Sequence, residues 1–469
     1  MKIKTIIKNI SYSISSNLIS FTISALLILV LPKFITLRDY GLWQLFLFYF
    51  SYVGFFHFGW EDGIYLRYAG KNYKDLNYKL FAGQVYSIIF FQIILGIVMF
   101  VLTRLFVEDI IKQNIIYTII LMMIIVNFNN FCNLIFQATN EIFQYSRLIL
   151  VEQVSFFMFV LLSIVLGFNQ YTNIIFCKML SVILVALMGS YSIRDILLSK
   201  VYTWTEIRKE GFKNLNVGSK LMLSNIASML ILGIVRYGIS EKWDIATFGK
   251  ISLTLSISNF LMVFISSISV VVFPLLKNAS PIKLASIYID VRKGLSVILF
   301  GLLTSYYPLH SVFSFWLPQY KDSLQYMALL FPVCLFESRV ALLINTYLKS
   351  MRQEKLMLKI NIFAVFVSFL LTFLGAVILH DLNFTVFSII LVFAIRCTVA
   401  EIYLCKLLSL HSIKGIFYDI LMVMVFIVTS WKISGLVGLM IYAVAYIIYI
   451  FLNKEVINVF GKYIKATKL

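Results

Sequence analysis

Runs of about twenty apolar residues recur from one end of this chain to the other, and few folds can hold them. A helix of that length crosses a hydrocarbon core about 30 Å thick with every backbone hydrogen bond satisfied internally, which otherwise only a closed barrel achieves. Fourteen such runs are readable: 10–31, 42–65, 80–102, 114–136, 148–167, 173–190, 216–239, 250–273, 293–313, 323–348, 359–379, 385–408, 416–430 and 435–452. The soluble alternative, several domains over 469 residues, fails on 61% hydrophobic against 13% charged residues. The expected fold is an all-α polytopic membrane protein with fourteen transmembrane helices.

Charge orients it. Lys2, Lys4 and Lys8 precede the first run and no small-x-small cleavage site follows Val30, so an uncleaved first span is expected. An even number of spans puts both termini on one side. With that side inward, inner segments hold about 27 of the 40 Lys and Arg and outer loops about eight, the bias of a multi-pass protein with cytoplasmic termini. The loops around Lys74, Arg208, Lys283 and Lys355 are then cytoplasmic. The net charge of +19 faces anionic lipid and calls for no nucleic acid. The longest segment outside the spans, 191–215, is too short for a soluble domain. Five cysteines lie inside apolar runs without C-x-x-C spacing and the four histidines are scattered, so no disulfide, metal site or cofactor is expected.

The stretch Tyr40–Lys71 shows the plan in miniature: an aromatic run ending in Glu61, Asp62 and Gly63, then a basic loop. Gln44, Ser51 and Asp62, seven and then eleven residues apart, would share one face of a continuous helix. The design returns at a constant offset of 208 residues, where Ser16–Ser20 (SNLIS) becomes Ser224–Ser228 (SNIAS), Tyr40-Gly41 becomes Phe248-Gly249, Gln44 becomes Ser252 and Ser51 becomes Asn259. Matches at one ungapped offset point to two related halves.

Polar stripes mark these helices. Ser13, Asn17, Ser20 and Ser24 fall on one face of the first span, Ser252, Ser256, Asn259 and Ser266 on one face of the eighth, and Asn127, Asn130, Asn133 and Gln137 line the fourth. Asn225 and Ser228 stand at the repeat-equivalent positions of the seventh. Such groups can line a wet cavity or mediate helix packing, and both readings stay open. Gly59-x-x-x-Gly63 signals close helix packing and no more. His57 is read as a packed residue.

Deep charges are rarer: Glu152, Arg236, Glu337, Arg339, Arg396 and Glu401. Each is a functional candidate by default, against the alternative of mutual neutralisation such as Arg339 with Glu401. Lys178 and Arg236 stand near enough to helix ends to snorkel.

Tyr40-Gly41 with its following span, Gly63 to Arg67, Gly211 ahead of the SNIAS motif, Phe248-Gly249, and Val271–Pro274 (VVFP) before a basic loop together resemble the bacterial polysaccharide-biosynthesis flippases. These belong to the multidrug, oligosaccharidyl-lipid and polysaccharide exporter superfamily. The resemblance covers nearly the whole chain in topology, through short motifs. It implies two pseudo-symmetric six-helix lobes, 1–205 and 206–408, meeting in a V whose cleft is lined by spans 1, 2, 7 and 8. A C-terminal helix pair with its tail, 409–469, is similar to the pair that accompanies the lipid tail in lipid II flippases; the arginine cluster that those carry in span 1 is missing here.

The function implied is translocation of an undecaprenyl-diphosphate-linked oligosaccharide across the bacterial cytoplasmic membrane for O-antigen or capsule, without covalent chemistry. Membrane lipid, a coupling proton or sodium ion, and polysaccharide polymerase machinery are the implied partners. Arg339, Arg396 and Arg236 are then candidates for the diphosphate, and Asp62, Glu152, Glu337 and Glu401 for coupling or ion pairing. Two competing readings are an ion-coupled drug exporter of the same superfamily and a membrane polymerase or glycosyltransferase on lipid-linked sugars, the latter disfavoured by the lack of a sizeable outer loop.

Overall fold

The structure is a computed structural model that describes residues 3–259, 262, 281–351, 353–410 and 413–452. All regular elements among them are helical. Eleven of the helices are long and apolar enough to cross a membrane. Of the fourteen expected spans, the second is interrupted, the eighth is described only over its first part, and the ninth is divided; the other eleven match those helices. Ser266, Val271–Pro274 and Lys277 lie outside the described residues, as do the side chains of Ser13 and Lys283.

The chain divides into two compact units, Met1–Ile226 and Ala227–Leu469. Unit 1 holds α1 (Ile3–Phe34), α2 (Leu37–Phe50), a 3₁₀ turn (Val53–His57), α3 (Trp60–Tyr68), α4 (Tyr78–Phe106), α5 (Ile110–Ala138), α6 (Ile142–Val165), α7 (Tyr171–Ser192), the short α8 (Arg194–Leu197) and the start of α9 (Trp204–Lys242). Within it α1 packs on α6, α6 on α7, and α5 on α3, α4 and α7. Polar caps end the apolar runs: Asn77 accepts from the Leu80 amide ahead of α4, and Asp109 accepts from the Ile111 and Lys112 amides ahead of α5.

Helix α4 shows how such a chain sorts its faces. Phe81, Val85, Ile88, Gln92, Gly96 and Thr103 recur at helical spacing and are buried, whereas Phe90, Ile97, Leu105 and Phe106 are exposed. The polar groups turn inward and the outer face is apolar, the reverse of a soluble helix and the arrangement that lipid requires.

The second expected span, 42–65, is not one helix. After Phe50 the chain tightens into the 3₁₀ turn, passes through two left-handed residues, Phe58 (φ 53°) and Gly59 (φ 87°), and restarts as α3. A left-handed conformation at a bulky residue such as Phe58 costs about 1–3 kcal/mol and persists only where the surroundings enforce it. Gln44, Ser51 and Asp62 therefore do not form a stripe: Gln44 is buried on α2, Ser51 is exposed where that helix ends, and Asp62 belongs to α3.

Close packing explains the restart. A Cβ on Gly63 would overlap the Asn214 backbone, and one on Gly218 would overlap the Gly59 carbonyl, so α3 lies backbone to backbone against α9. Beside this contact Arg67 pairs with Glu210 (2.6 Å) and donates to Asn214 Oδ1 (2.5 Å), while the Tyr68 hydroxyl donates to Glu210 (2.9 Å). Burial first, then the bond to Glu210, push the Tyr68 phenol up to about 12, which keeps it a donor.

Unit 2 holds the end of α9, α10 (245–259), α11 (Pro281–Leu303), α12 (Tyr306–Trp316), α13 (Lys321–Leu324), α14 (Met327–Ser338), α15 (Asn345–Ser350), α16 (Glu354–Thr372), α17 (Leu382–Leu407), α18 (Ile413–Val428) and α19 (Gly435–Leu452). Wider π-turns follow α14 (Arg339–Ile344), α16 (Phe373–Ile378) and α18 (Thr429–Ile433). The expected ninth span, 293–313, is divided between α11 and α12. Helix α14 packs against α11, α17 and α18, and the pair α18–α19 packs against α11 within this unit.

Candidate functional site

Four charged side chains meet inside unit 2, and two of them were not anticipated. Arg292 of α11, Arg339 at the start of its π-turn, Glu401 of α17 and Asp419 of α18 are each at most 5% exposed. Arg339 Nη1 lies 2.8 Å from Asp419 Oδ2 and 3.6 Å from Glu401 Oε2, and Nη2 donates to Ser296 Oγ at 2.8 Å. Arg292 pairs with Glu401 through Nε and with Asp419 through Nη2 at 2.7 Å. Tyr288 donates to Glu401 (3.0 Å) and Tyr449 of α19 donates to Asp419 (3.1 Å).

Two positive and two negative charges cancel, which is the condition for holding them away from water. Gly415 on α18 lets the Arg292 guanidinium through, since a Cβ there would come within 2.6 Å of it. Five segments of unit 2 thus converge on one neutral knot.

A second pair lies nearby in sequence. Arg396 of α17, 1% exposed, reaches Glu337 of α14 at 2.6 Å and donates to Asn361 Oδ1 (3.1 Å) and Ser228 Oγ (3.0 Å). Glu337, 26% exposed, is the open end of this pair. Arg236 is half-buried, donates to Ser252 Oγ (3.2 Å) and lies over the Phe248 ring at 5.4 Å.

In unit 1, Lys178 of α7 and Glu152 of α6 pair at 2.6 Å. Lys178 is 8% exposed, so it does not snorkel as expected; its ammonium also lies over the Phe156 ring at 5.2 Å. The polar stripes divide by exposure. Asn127 is fully buried and donates to the Met123 carbonyl (3.0 Å), Gln92 Oε1 (3.2 Å) and the Val53 carbonyl (3.3 Å); Gln44 is buried and donates to the Tyr40 hydroxyl at 2.8 Å. Asn17, Ser51, Asn225 and Asn259 are exposed, Ser20, Asn130 and Ser228 are intermediate, and Ser252 is buried.

Arg292, Asp419 and Glu61 escaped the sequence reading. Arg292 reads as part of a basic loop because a hydropathy window opens the span just after it. Asp419 stands at the edge of the shortest run. The available signal for Asp419 was an acid among apolar residues, which is itself a mark of function or pairing.

No family model matches the chain, and no curated protein matches its sequence. Solved structures do match its fold. A lipid II flippase, MurJ, in an inward closed conformation is similar with a TM-score of 0.67 over 96% of this chain and 100% of that one, at 12% identity. The two share one fold. A multidrug resistance MATE family transporter of the MOP superfamily, inward-facing, is similar with a TM-score of 0.63 over 87% of this chain and 98% of that one, at 14% identity. A MATE in the straight conformation gives 0.54 over 84% and 93%, at 13% identity. The MurJ and MATE fold, with its many apolar helices, makes this a multi-pass membrane protein; at these identities the likeness is one of fold.

Proposed function

We propose that this chain is a flippase that carries an undecaprenyl-diphosphate-linked oligosaccharide from the inner to the outer leaflet of a bacterial cytoplasmic membrane by alternating access, for a surface polysaccharide such as O-antigen or capsule. The observation that carries this reading is the extent of the likeness: the lipid II flippase covers 96% of the chain, which must reach into the C-terminal helices α18 and α19, whereas the two MATE transporters cover 84–87%.

The physical task has two parts, a polar head that cannot enter lipid and a prenyl tail that should not leave it. The exposed amides and hydroxyls of Asn17, Ser51, Asn225 and Asn259 can replace water around sugar hydroxyls. An apolar groove of about 370 Å³ between α14, α17 and α18, lined by Phe336, Ile390, Ala394, Val423 and Met424 among others, has the character of a tail site. Arg339 and Arg396, at most 2% exposed, are closed off from a substrate and in this reading serve the fold. Arg236, half-buried and the most accessible of the three, is the arginine assigned to the diphosphate on that ground, and a proton or sodium ion supplies the coupling.

The MATE likeness supports a second reading, an ion-coupled exporter of small molecules. One assay separates them. In proteoliposomes loaded with a fluorescent lipid-linked oligosaccharide, the flippase reading requires that sugars placed on one leaflet become cleavable by a glycosidase on the other side. Asn17→Leu with Asn225→Leu should insert normally and slow this about thirty-fold, since each lost hydrogen-bonding position is worth about 1 kcal/mol. Export of cationic dyes without sugar exposure would replace the reading with the exporter, and elongation of the sugar with an enzyme.

A further inference from the structure

One carboxylate of unit 1 is buried without compensation. Glu61 on α3 is 0% exposed, and neither of its oxygens has a hydrogen-bond partner. The groups facing it are few. His57 Nε2 lies 4.0 Å from Glu61 Oε2 and 3.7 Å from Asp62 Oδ2, each beyond hydrogen-bond range. Cys132 is buried on α5, the helix packed against α3. Arg67, the next cation along α3, is engaged by Glu210 and Asn214. Among the described residues no Lys or Arg comes within ion-pair distance of Glu61.

The state of His57 follows from its contacts. Its Nδ1 accepts the Gly59 amide at 2.9 Å, so the ring is neutral and its proton sits on Nε2, the atom turned toward the two carboxylates. An N–H at that place disfavours a metal cation, which needs several oxygens and no facing donor. An ionised Glu61 in this setting would lack both water and a donor, a state that buried carboxylates avoid by taking up a proton.

We propose that Glu61 is a proton-binding site, occupied in this conformation, with Asp62 as its exchange group toward solvent and His57 as the donor that receives Glu61 once it ionises. Exposure rises along the route, from Glu61 at 0% to Asp62 at 19%. On release, the Glu61 O–H bond breaks, the proton passes to a carboxylate oxygen of Asp62 and from there to water, and the Glu61 anion draws the His57 Nε2–H into a hydrogen bond. His57 and Glu61 flank the left-handed pair Phe58-Gly59, so closing that gap turns α3 against α2. Protonation thereby acts on the joint in the interrupted second span. The use of the proton to drive transport rests on the flippase reading; the site itself does not.

The test is infrared spectroscopy of the purified full chain in lipid nanodiscs across a pH titration. A protonated carboxylic acid C=O band should be present at neutral pH, shift on deuteration, disappear in Glu61→Gln and persist in Asp62→Asn. Glu61→Gln mimics the protonated acid and should melt with the wild type. A band unchanged in Glu61→Gln, or a fall in melting temperature for that variant, would overturn the proposal, the second because it shows that the fold depends on the ionised group. His57→Phe should keep the band and move its midpoint to higher pH, because the anion loses its donor; an unmoved midpoint removes His57 from the site. If the band behaves as described while no lipid-linked sugar is moved in proteoliposomes, the proton site stands and the flippase reading falls.

Discussion

Replacing Asp419 with Asn should cost unit 2 more than most single substitutions can. The wild-type knot is neutral, with Arg292 and Arg339 against Glu401 and Asp419, all at most 5% exposed. Asp419→Asn leaves a buried net charge of one and weakens contacts at 2.7, 2.8 and 3.1 Å to Arg292, Arg339 and Tyr449. Breaking a buried pair from one side costs about 3–5 kcal/mol. At about 2–4 °C per kcal/mol for a domain of this size, the melting midpoint should fall by about 6–20 °C. The double variant Arg339→Met with Asp419→Leu keeps the Arg292–Glu401 pair, restores neutrality and should recover most of the loss, for a coupling energy of at least about 2 kcal/mol. The chain supplies its own reporters, because Cys334, Cys397 and Cys405 are free and buried in unit 2 and become reactive to a fluorogenic thiol dye on heating. If Asp419→Asn melts with the wild type, or the double variant loses as much as Arg339→Met and Asp419→Leu lose when made singly and added, the knot does not hold unit 2 together.

Two further outcomes follow from other contacts. Arg396→Gln should lower both stability and transport because it leaves Glu337 unpaired, and adding Glu337→Gln should restore both; transport that stays lost in a stable double variant would return Arg396 to the diphosphate. Gly63→Ala should destabilise unit 1 by about 1–3 kcal/mol through overlap with the Asn214 backbone, read as a lower melting midpoint, and a neutral outcome would mean that α3 and α9 are not in backbone contact.

Spans of uniform polarity were legible from the sequence and interruptions were not. Hydropathy averaged over about twenty residues located α4, α5, α7, α17 and α19 to within about four positions, because each is a single apolar run, and Asn77, Asp109 and Asp381 cap the starts of α4, α5 and α17. The same averaging passes over 51–59, where the break is made of Phe, Gly and His among aromatic neighbours and hydropathy barely changes. Charges are legible as deep or shallow only relative to the boundary that hydropathy sets: Arg339 and Arg396 fall mid-run, whereas Arg292 falls one residue outside its run and Lys178 falls close to the start of its run. Glu61 was hidden by Asp62 beside it, since periodicity favoured the neighbour and only three-dimensional burial separates the two.

The knot in unit 2 also imposes a schedule. Arg339 precedes Asp419 by 80 residues and Arg292 precedes it by 127. At a synthesis rate of roughly 5–20 residues per second, the two arginines emerge about 4–16 s and about 6–25 s before that partner exists. During the interval before residue 419 is made, Glu401 is the one carboxylate of the knot that they can share, and that for just the last 18 residues. The membrane insertion machinery must therefore keep α11 and α14 in contact with water or protein after they are made, and the arrival of α18 is the event that lets unit 2 close.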